Sequence, residues 1–313
     1  MDYDKVSLFQ NAAVDDYCSR YDPTPSHTSH PLAYSRHNLL DHTHRVLLCF
    51  LPKVGCTNLK LLFFASQGLI PYSELEKARD LINQEKLMAV VHRNNLQGNR
   101  ISLREDLRSL DYFKYVMVRN PLERLVSAYR SKIERYNLTG VLKDTPHYNW
   151  ARREIFKHLH PVQYRLWAKE GMSRPVKISF GDFITYWLQP DLIEFKYDDH
   201  FMSFLHICQP CRTRFDFYGN FRHFARDAQV LIDKVGGSYS DLRQGYYSDD
   251  TLSTDERMKL YYSTLPQSQK TDVIRKMALE LEFHYTIFPG ERDSHKQIFG
   301  VDFDLELPQF HPL

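Results

Sequence analysis

Val46-Leu-Leu-Cys-Phe-Leu51 is a short unbroken apolar run, and Pro52-Lys-Val-Gly-Cys-Thr-Asn58 follows it directly. Such a run, closed by a polar turn, reads as a strand buried on both faces, the kind that parallel sheets contain. Leu59 to Gln67 then reads as a helix that ends near Gly68. The same order recurs downstream. Tyr115-Val-Met-Val118 is a second strand run, ended by Arg119 and followed by Asn120-Pro-Leu-Glu123. Asn120 suits an N-cap, Pro121 the first helical position and Glu123 the closing residue of a capping box. Leu122, Leu125, Val126, Tyr129 and Ile133 fall on one helical face beyond it. Strand, loop and helix twice over predict an α/β chain with a parallel sheet, and a ligand at the carboxyl ends of its strands.

Outward from these units the pattern is weaker. Ser73-Glu-Leu-Glu76 and Ser102-Leu-Arg-Glu105 are capping boxes, the first opening a helix to about Met88. Leu87–Val91 reads as a further strand leading to His92. Helices are expected at 181–188, 221–235 (stopped by Gly236 and Gly237), 254–263 and 267–285, a helical C-terminal part. Residues 1–44 are polar and weakly patterned, and are expected as a surface arm or poorly ordered lead-in. Residues 45–290 contain no linker and are expected to form one domain. Residues 291–313 are expected as an acidic, peripheral tail.

The 313 residues are 42% hydrophobic, 26% charged and 14% aromatic, which is globular composition and excludes a disordered chain. The net charge of +2 argues against a nucleic-acid coat. Locally the balance shifts: residues 100–135 hold nine Lys/Arg against five Asp/Glu, and residues 150–177 seven against two. These stretches suit an anionic partner or, alternatively, a solvated face. No apolar run approaches the ~20 residues of a membrane span, and the N-terminal MDYDKVSLFQ lacks a signal-peptide pattern. Among five cysteines, Cys208-Gln-Pro-Cys211 is a single CxxC without the second pair of a zinc ribbon. It is expected as a local disulfide or two buried thiols, and no metal site is expected.

Two segments have the residue types for anion chemistry. Pro52, Lys53, Val54, Gly55, Cys56, Thr57 and Asn58 lie between a strand and a helix N-terminus, where backbone N–H groups and the helix dipole favour an anion. Lys53 adds a charge and Thr57 a hydroxyl. The loop is not GxxxxGK[ST], since its Lys precedes its Gly. Arg119, Asn120, Pro121, Leu122, Glu123, Arg124, Leu125, Val126 and Ser127 form the second segment. Arg119 has the geometry for a bidentate phosphate partner. Arg124 and Arg130 are expected in surface ion pairs with Glu123 or Glu134.

Together, strand–PKVGCTN–helix and strand–RNPLERLVSAYR–helix resemble the Golgi carbohydrate sulfotransferases. The similar branch contains the chondroitin and dermatan 4-O-sulfotransferases and the HNK-1 sulfotransferase. The likeness extends through Asp199-His200-Phe201, Leu205-His-Ile-Cys208-Gln-Pro-Cys211, Phe215-Asp-Phe-Tyr-Gly219, Tyr261-Tyr-Ser-Thr-Leu-Pro266 and Leu281-Glu-Phe283, over roughly residues 36–290. Leu59 and Phe201 stand where that branch usually has Trp, and Gly55 where it usually has Ala.

The resemblance implies a P-loop-like sheet flanked by helices and 3′-phosphoadenylyl sulfate (PAPS) as donor, without a metal. Residues 52–58 would hold its 5′-phosphosulfate and the Arg119–Ser127 segment its 3′-phosphate. It also implies a glycosaminoglycan or glycoprotein glycan as acceptor, foremost the 4-O position of GalNAc in chondroitin or dermatan. No nucleic-acid partner is expected. Lys53 would steady the leaving phosphate. His92 is the first choice of base and His200 the second. Asn137, in Asn137-Leu-Thr139, would be glycosylated. A Golgi lumen or Golgi membrane location is implied, with a type II anchor that is not visible in this sequence. Two other readings are a catalytically inactive glycan-binding relative and a P-loop kinase or NTPase, the latter opposed by the missing GK[ST] pair.

Overall fold

The computed structural model describes residues 3–21, 37–78, 111–134, 146–171, 177–189, 198–236 and 252–300. At its centre is a four-stranded sheet in the order β1 (Asn38–Asp41), β2 (Val46–Cys49), β3 (Phe113–Val118), β4 (Phe217–Asn220). β2, β3 and β4 run parallel, in register through Leu48, Tyr115 and Phe217, while β1 is an antiparallel edge strand paired Leu39 to Leu48. The apolar run after Arg45 is β2, with Val46, Leu47, Leu48 and Cys49 fully buried, as a central parallel strand requires.

Each parallel strand leads toward a helix: β2 to α2 (Cys56–Ser66), β3 to α3 (Pro121–Tyr129) and β4, through a short 3-10 turn, to α7 (Phe224–Val235). Between α3 and β4 come α4 (Pro146–Leu159), α5 (Pro161–Lys169) and α6 (Phe180–Trp187). The C-terminal part is α8 (Thr254–Tyr262), α9 (Gln267–Lys276), α10 (Ala278–Ile287) and α11 (Arg292–Phe299). One helix expected over 267–285 is in fact two, broken at Met277 without a Pro or Gly to announce it. One apolar cluster surrounds the sheet; a second joins α3, α4, α6 and the C-terminal helices.

Two outer stretches, 3–21 and 292–299, pack differently from the sequence expectation. Residues 3–21 were expected as an arm, yet they form α1 (Tyr3–Tyr21), with Val14 and Tyr17 buried. Gln10 explains part of the docking: its Nε2 donates to the Tyr218 carbonyl at 2.8 Å and its Oε1 accepts from the Tyr218 N–H at 3.2 Å. The amide thus covers polar groups of β4 that an open sheet edge would expose. Residues 292–299 were expected in a peripheral tail, but α11 buries His295 and Phe299.

The CxxC pair does not bond to itself. Cys18 joins Cys211 and Cys49 joins Cys208, while Cys56 is free. Gln209, left-handed at φ 44°, turns the chain between two short helices, and each cysteine meets its own distant partner. The capping boxes at 102–105 and the strand at 87–91 lie outside the described residues, as do His92 and Asn137. Among the described residues no helix is long and apolar enough to cross a membrane.

Candidate active site

The first loop turns sharply at the carboxyl end of β2. Lys53 and Gly55 both take left-handed backbone angles, φ 74° and 75°. Gly55 is the N-cap of α2 and brings no capping side chain, so the start of the helix, with its dipole, is left open to an anion. Thr57 and Asn58 sit half-buried in that turn, beside Cys56. Pro52 and Val54 are buried and anchor the loop.

The second segment is tied directly to the first. Arg119 donates from Nη1 to the Lys53 carbonyl at 3.1 Å, and Arg124 from Nε to the Pro52 carbonyl at 3.0 Å. The two loops therefore form one unit at neighbouring strand ends. Arg124 is 3% exposed, which overturns its expected place in a surface ion pair. Its Nη2 also donates to the Asp199 carbonyl at 3.0 Å, and its guanidinium lies 3.8 Å from Glu280. Arg130, by contrast, does pair with Glu134, at 3.8 Å on the partly exposed side of the helix.

Asn120 caps α3, its Oδ1 accepting from the Leu122 N–H at 2.9 Å, with Pro121 at the first helical position. Glu123 does not close a capping box. Its carboxylate instead takes Arg119 at 3.4 Å and Arg222 Nε at 2.8 Å, with His295 at 3.6 Å. Burial alone would raise this carboxyl. The His295 hydrogen bond and the charges of Arg119 and Arg222 outweigh it and hold Glu123 at about 2. Arg119 also lies over the Phe221 ring at 4.3 Å. Leu122, Leu125 and Val126 face the core, and Ser127 is half-buried further along α3.

A third group of residues converges on Lys53. Beyond Tyr129 the helix widens into a π turn, Arg130–Glu134, and Ser131 there accepts a 2.7 Å hydrogen bond from Lys53 Nζ. Such turns often occur at functional sites. Burial and the neighbouring Lys132 charge push the Lys53 amine down to about 7. His200 is within the same field. Its Nδ1 lies 3.0 Å from Asp198 Oδ1 and 3.0 Å from the Tyr148 hydroxyl, and its backbone N–H donates to Asp198 Oδ1 at 2.9 Å. Burial lowers the His200 ring to about 4; the Asp198 hydrogen bond works against this, and the Lys132 and Lys53 charges work with it. A neutral ring bonded to a carboxylate at Nδ1 is a donor there, which leaves the lone pair on Nε2. Tyr148 comes from α4 and also carries Lys132 4.8 Å over its ring.

The sequence reading singled out Lys53 and His200 but not Ser131, Lys132, Tyr148 or Asp198. Ser131 and Lys132 follow the RNPLERLVSAYR stretch directly; only the π turn aims them at Lys53. Asp198, two residues before His200, was the one legible signal, an acid within reach of a candidate base.

Residues 36–286 match the sulfotransferase family. The chain belongs to that family. Among its relatives, carbohydrate sulfotransferase 11 of Rattus norvegicus is 26% identical over 256 residues, covering 80% of this chain and 68% of that protein. Carbohydrate sulfotransferase 14 of Danio rerio is 26% identical over 253 residues, covering 78% and 60%. Human carbohydrate sulfotransferase 9 is 26% identical over 280 residues, covering 87% and 58%. The chain therefore spans less than two thirds of the length of the latter two. No solved structure matches. For this sulfotransferase family member, the matched span contains the two loops, the His200 cluster and both disulfides except for Cys18.

Proposed function

We propose that the protein is a carbohydrate sulfotransferase that moves a sulfuryl group from PAPS to a glycan hydroxyl, foremost the 4-O position of GalNAc in chondroitin or dermatan. The observation that supports this most is the meeting of a cation, Lys53, with a neutral imidazole, His200, beside two loops locked together by Arg119 and Arg124. The acceptor hydroxyl oxygen would form the new S–O bond as its proton passes to His200 Nε2. The S–O bond to the donor phosphate breaks, and that phosphate leaves with the electron pair. Lys53 and the N–H groups at the start of α2 would meet the charge developing there. His92, first choice from sequence, lies outside the described residues, and His200 takes the role of base in this proposal. Arg119 and Ser127 would hold the 3′-phosphate. Two disulfides suit an oxidising compartment such as the Golgi lumen.

The test is incubation with labelled PAPS and desulfated chondroitin or dermatan, followed by disaccharide analysis of the product. Label on position 4 of GalNAc is the expected result. Label on another hydroxyl would move the acceptor assignment. No label on any glycan, with glycan binding intact, would replace this function with that of an inactive binding relative.

A further inference from the structure

The α4–α5 hairpin presents an unusual surface. α5 is a nine-residue helix without a single buried residue, although it includes Val162 at 59% and Leu166 at 57% exposure. It folds back on α4 with aromatic rings in contact: Phe156 to Trp167 at 6.0 Å, and Phe156 to Tyr164 at 6.4 Å. On α4, Trp150, Arg153 and Lys157 are exposed at spacings of three and four residues, which places them in one stripe. Arg165 and Lys169 are exposed on α5. Arg153, Arg165 and Lys169 make no ion pair among the described residues, and the only exposed acid on the hairpin is Glu170.

The same helix also serves the reaction centre. Tyr148, two residues before Trp150 and so about 200° around α4 from it, turns inward to His200, while Trp150 faces outward. From Tyr148 to Lys157 the helix rises about 14 Å, at ~1.5 Å per residue. An indole offers a broad apolar face for the C–H side of a sugar ring. Arginine is the preferred planar partner of carboxylate and sulfate groups. We propose that this hairpin face, with Trp150 and Arg153 of α4 and Arg165 and Lys169 of α5, docks a polyanionic stretch of the acceptor glycan beyond the sugar that meets His200. The inference rests on the carbohydrate sulfotransferase reading above and gives that acceptor a docking face and a charge. Unpaired cations beside exposed apolar side chains favour a polyanion over a neutral glycan, because each cation gains a partner only from the former.

Charge reversal tests it. Arg153→Glu combined with Arg165→Glu and Lys169→Glu alters exposed side chains only, so an unchanged melting temperature is expected and confirms the fold. Binding and sulfate transfer are then measured with chondroitin polymer and with chondroitin disaccharide, and binding with phosphatidylserine vesicles. The expected result is at least a tenfold rise in Kd and KM for polymer, with disaccharide kinetics and affinity for PAP, the desulfated donor product, unchanged, since His200 meets α4 from the side opposite Trp150. Trp150→Ala should also weaken polymer binding. Equal polymer Kd and KM in wild type and triple variant would overturn the inference while transfer by both upholds the enzyme reading. Loss of vesicle binding without loss of polymer binding would overturn it in favour of a membrane surface. If the wild type transfers no sulfate but polymer binding still falls in the variant, the docking face stands and the enzyme reading fails.

Discussion

Burial holds His200 near 4 and Lys53 near 7, which in the proposed transfer are opposite edges of a working window. As the proposed base, His200 must be neutral, so it would act above about 4. As the proposed cation, Lys53 must be charged, so it would act below about 7. The kcat/KM profile, which reports the free enzyme, is therefore expected to fall on the alkaline side with an apparent pKa near 7. Donor phosphates beside Lys53 favour its charged form, so the same limb in kcat should appear at higher pH. Lys53→Arg should erase that limb while keeping part of the activity, because a guanidinium stays charged throughout; a limb that persists near 7 assigns it to another group. His200→Ala should lower kcat about 10²- to 10⁴-fold and leave PAP affinity unchanged. Asp198→Asn should slow the same step by losing the acceptor that fixes the ring tautomer. His92→Ala should leave kcat near wild type, and the reverse pattern in the two histidine variants would move the base to His92. These residues were unequally legible. A loop lysine after a buried strand is visible in sequence, but a depressed amine depends on Lys132, 79 positions away, being brought beside it by the π turn. Arg124 misled for the same reason: a helix repeat beside Glu123 and Arg130 places it on a surface, and only the fold reveals two carbonyls waiting for it.

At the scale of elements, β2, β3 and their helices could be read because both signals are local, an apolar run and a capped amphipathic repeat. β4 could not. Its four residues, Phe217–Asn220, become a strand through pairing with β3, whose residues are 102 positions earlier in the register Tyr115 to Phe217. α1 was also hidden: it has little apolar periodicity, and its docking depends on Gln10, Tyr17 and a disulfide. The turn between β2 and α2 offers a direct test of how tightly element and site are joined. An added Cβ at Gly55 would lie 2.7 Å from Phe224 Cε2, whereas one at Gly68, with a similar φ of 69°, meets nothing within 4 Å. Gly68→Ala should therefore cost only the left-handed backbone term, about 1–2 kcal/mol. Gly55→Ala should cost more, and the displaced Phe224 ring abuts Phe221, on which Arg119 rests. Weakened PAP binding is thus expected in Gly55→Ala and not in Gly68→Ala. Adding Phe224→Leu should recover the steric part alone, a coupling that a double-mutant cycle in urea measures.

For the whole molecule, the two disulfides divide the labour of stability and function. Cys49 closes β2 just before the Lys53 loop, and Cys208 follows the His200 segment, so their bridge, with Cα atoms 6.0 Å apart, pins together the two stretches that carry Lys53 and His200. Cys18–Cys211 instead fastens α1, which packs on β4, α10 and the short helix Pro210–Thr213. The sequence separations are 159 and 193, yet each bridge shortens the loop the other must close. With Cys49–Cys208 intact, the path from Cys18 to Cys211 runs over 31 residues on one side and three on the other. Chain entropy for such a loop is worth about 4 kcal/mol, against about 5 for the unbridged length. Removing either bridge with paired Cys→Ser substitutions should therefore cost about 4 kcal/mol, and removing both should cost more than the sum of the two. Urea titration of the three variants reads this directly. Kinetics separates their roles. Below the denaturation midpoint, Cys18→Ser with Cys211→Ser should keep wild-type kcat and PAP affinity. Cys49→Ser with Cys208→Ser should lose kcat, because a shift of about an ångström between Lys53 and His200 costs on the order of 10²-fold in rate. Equal activity in both variants, at conditions where both are folded, would mean that the arginine bonds from α3 hold the site without the bridge.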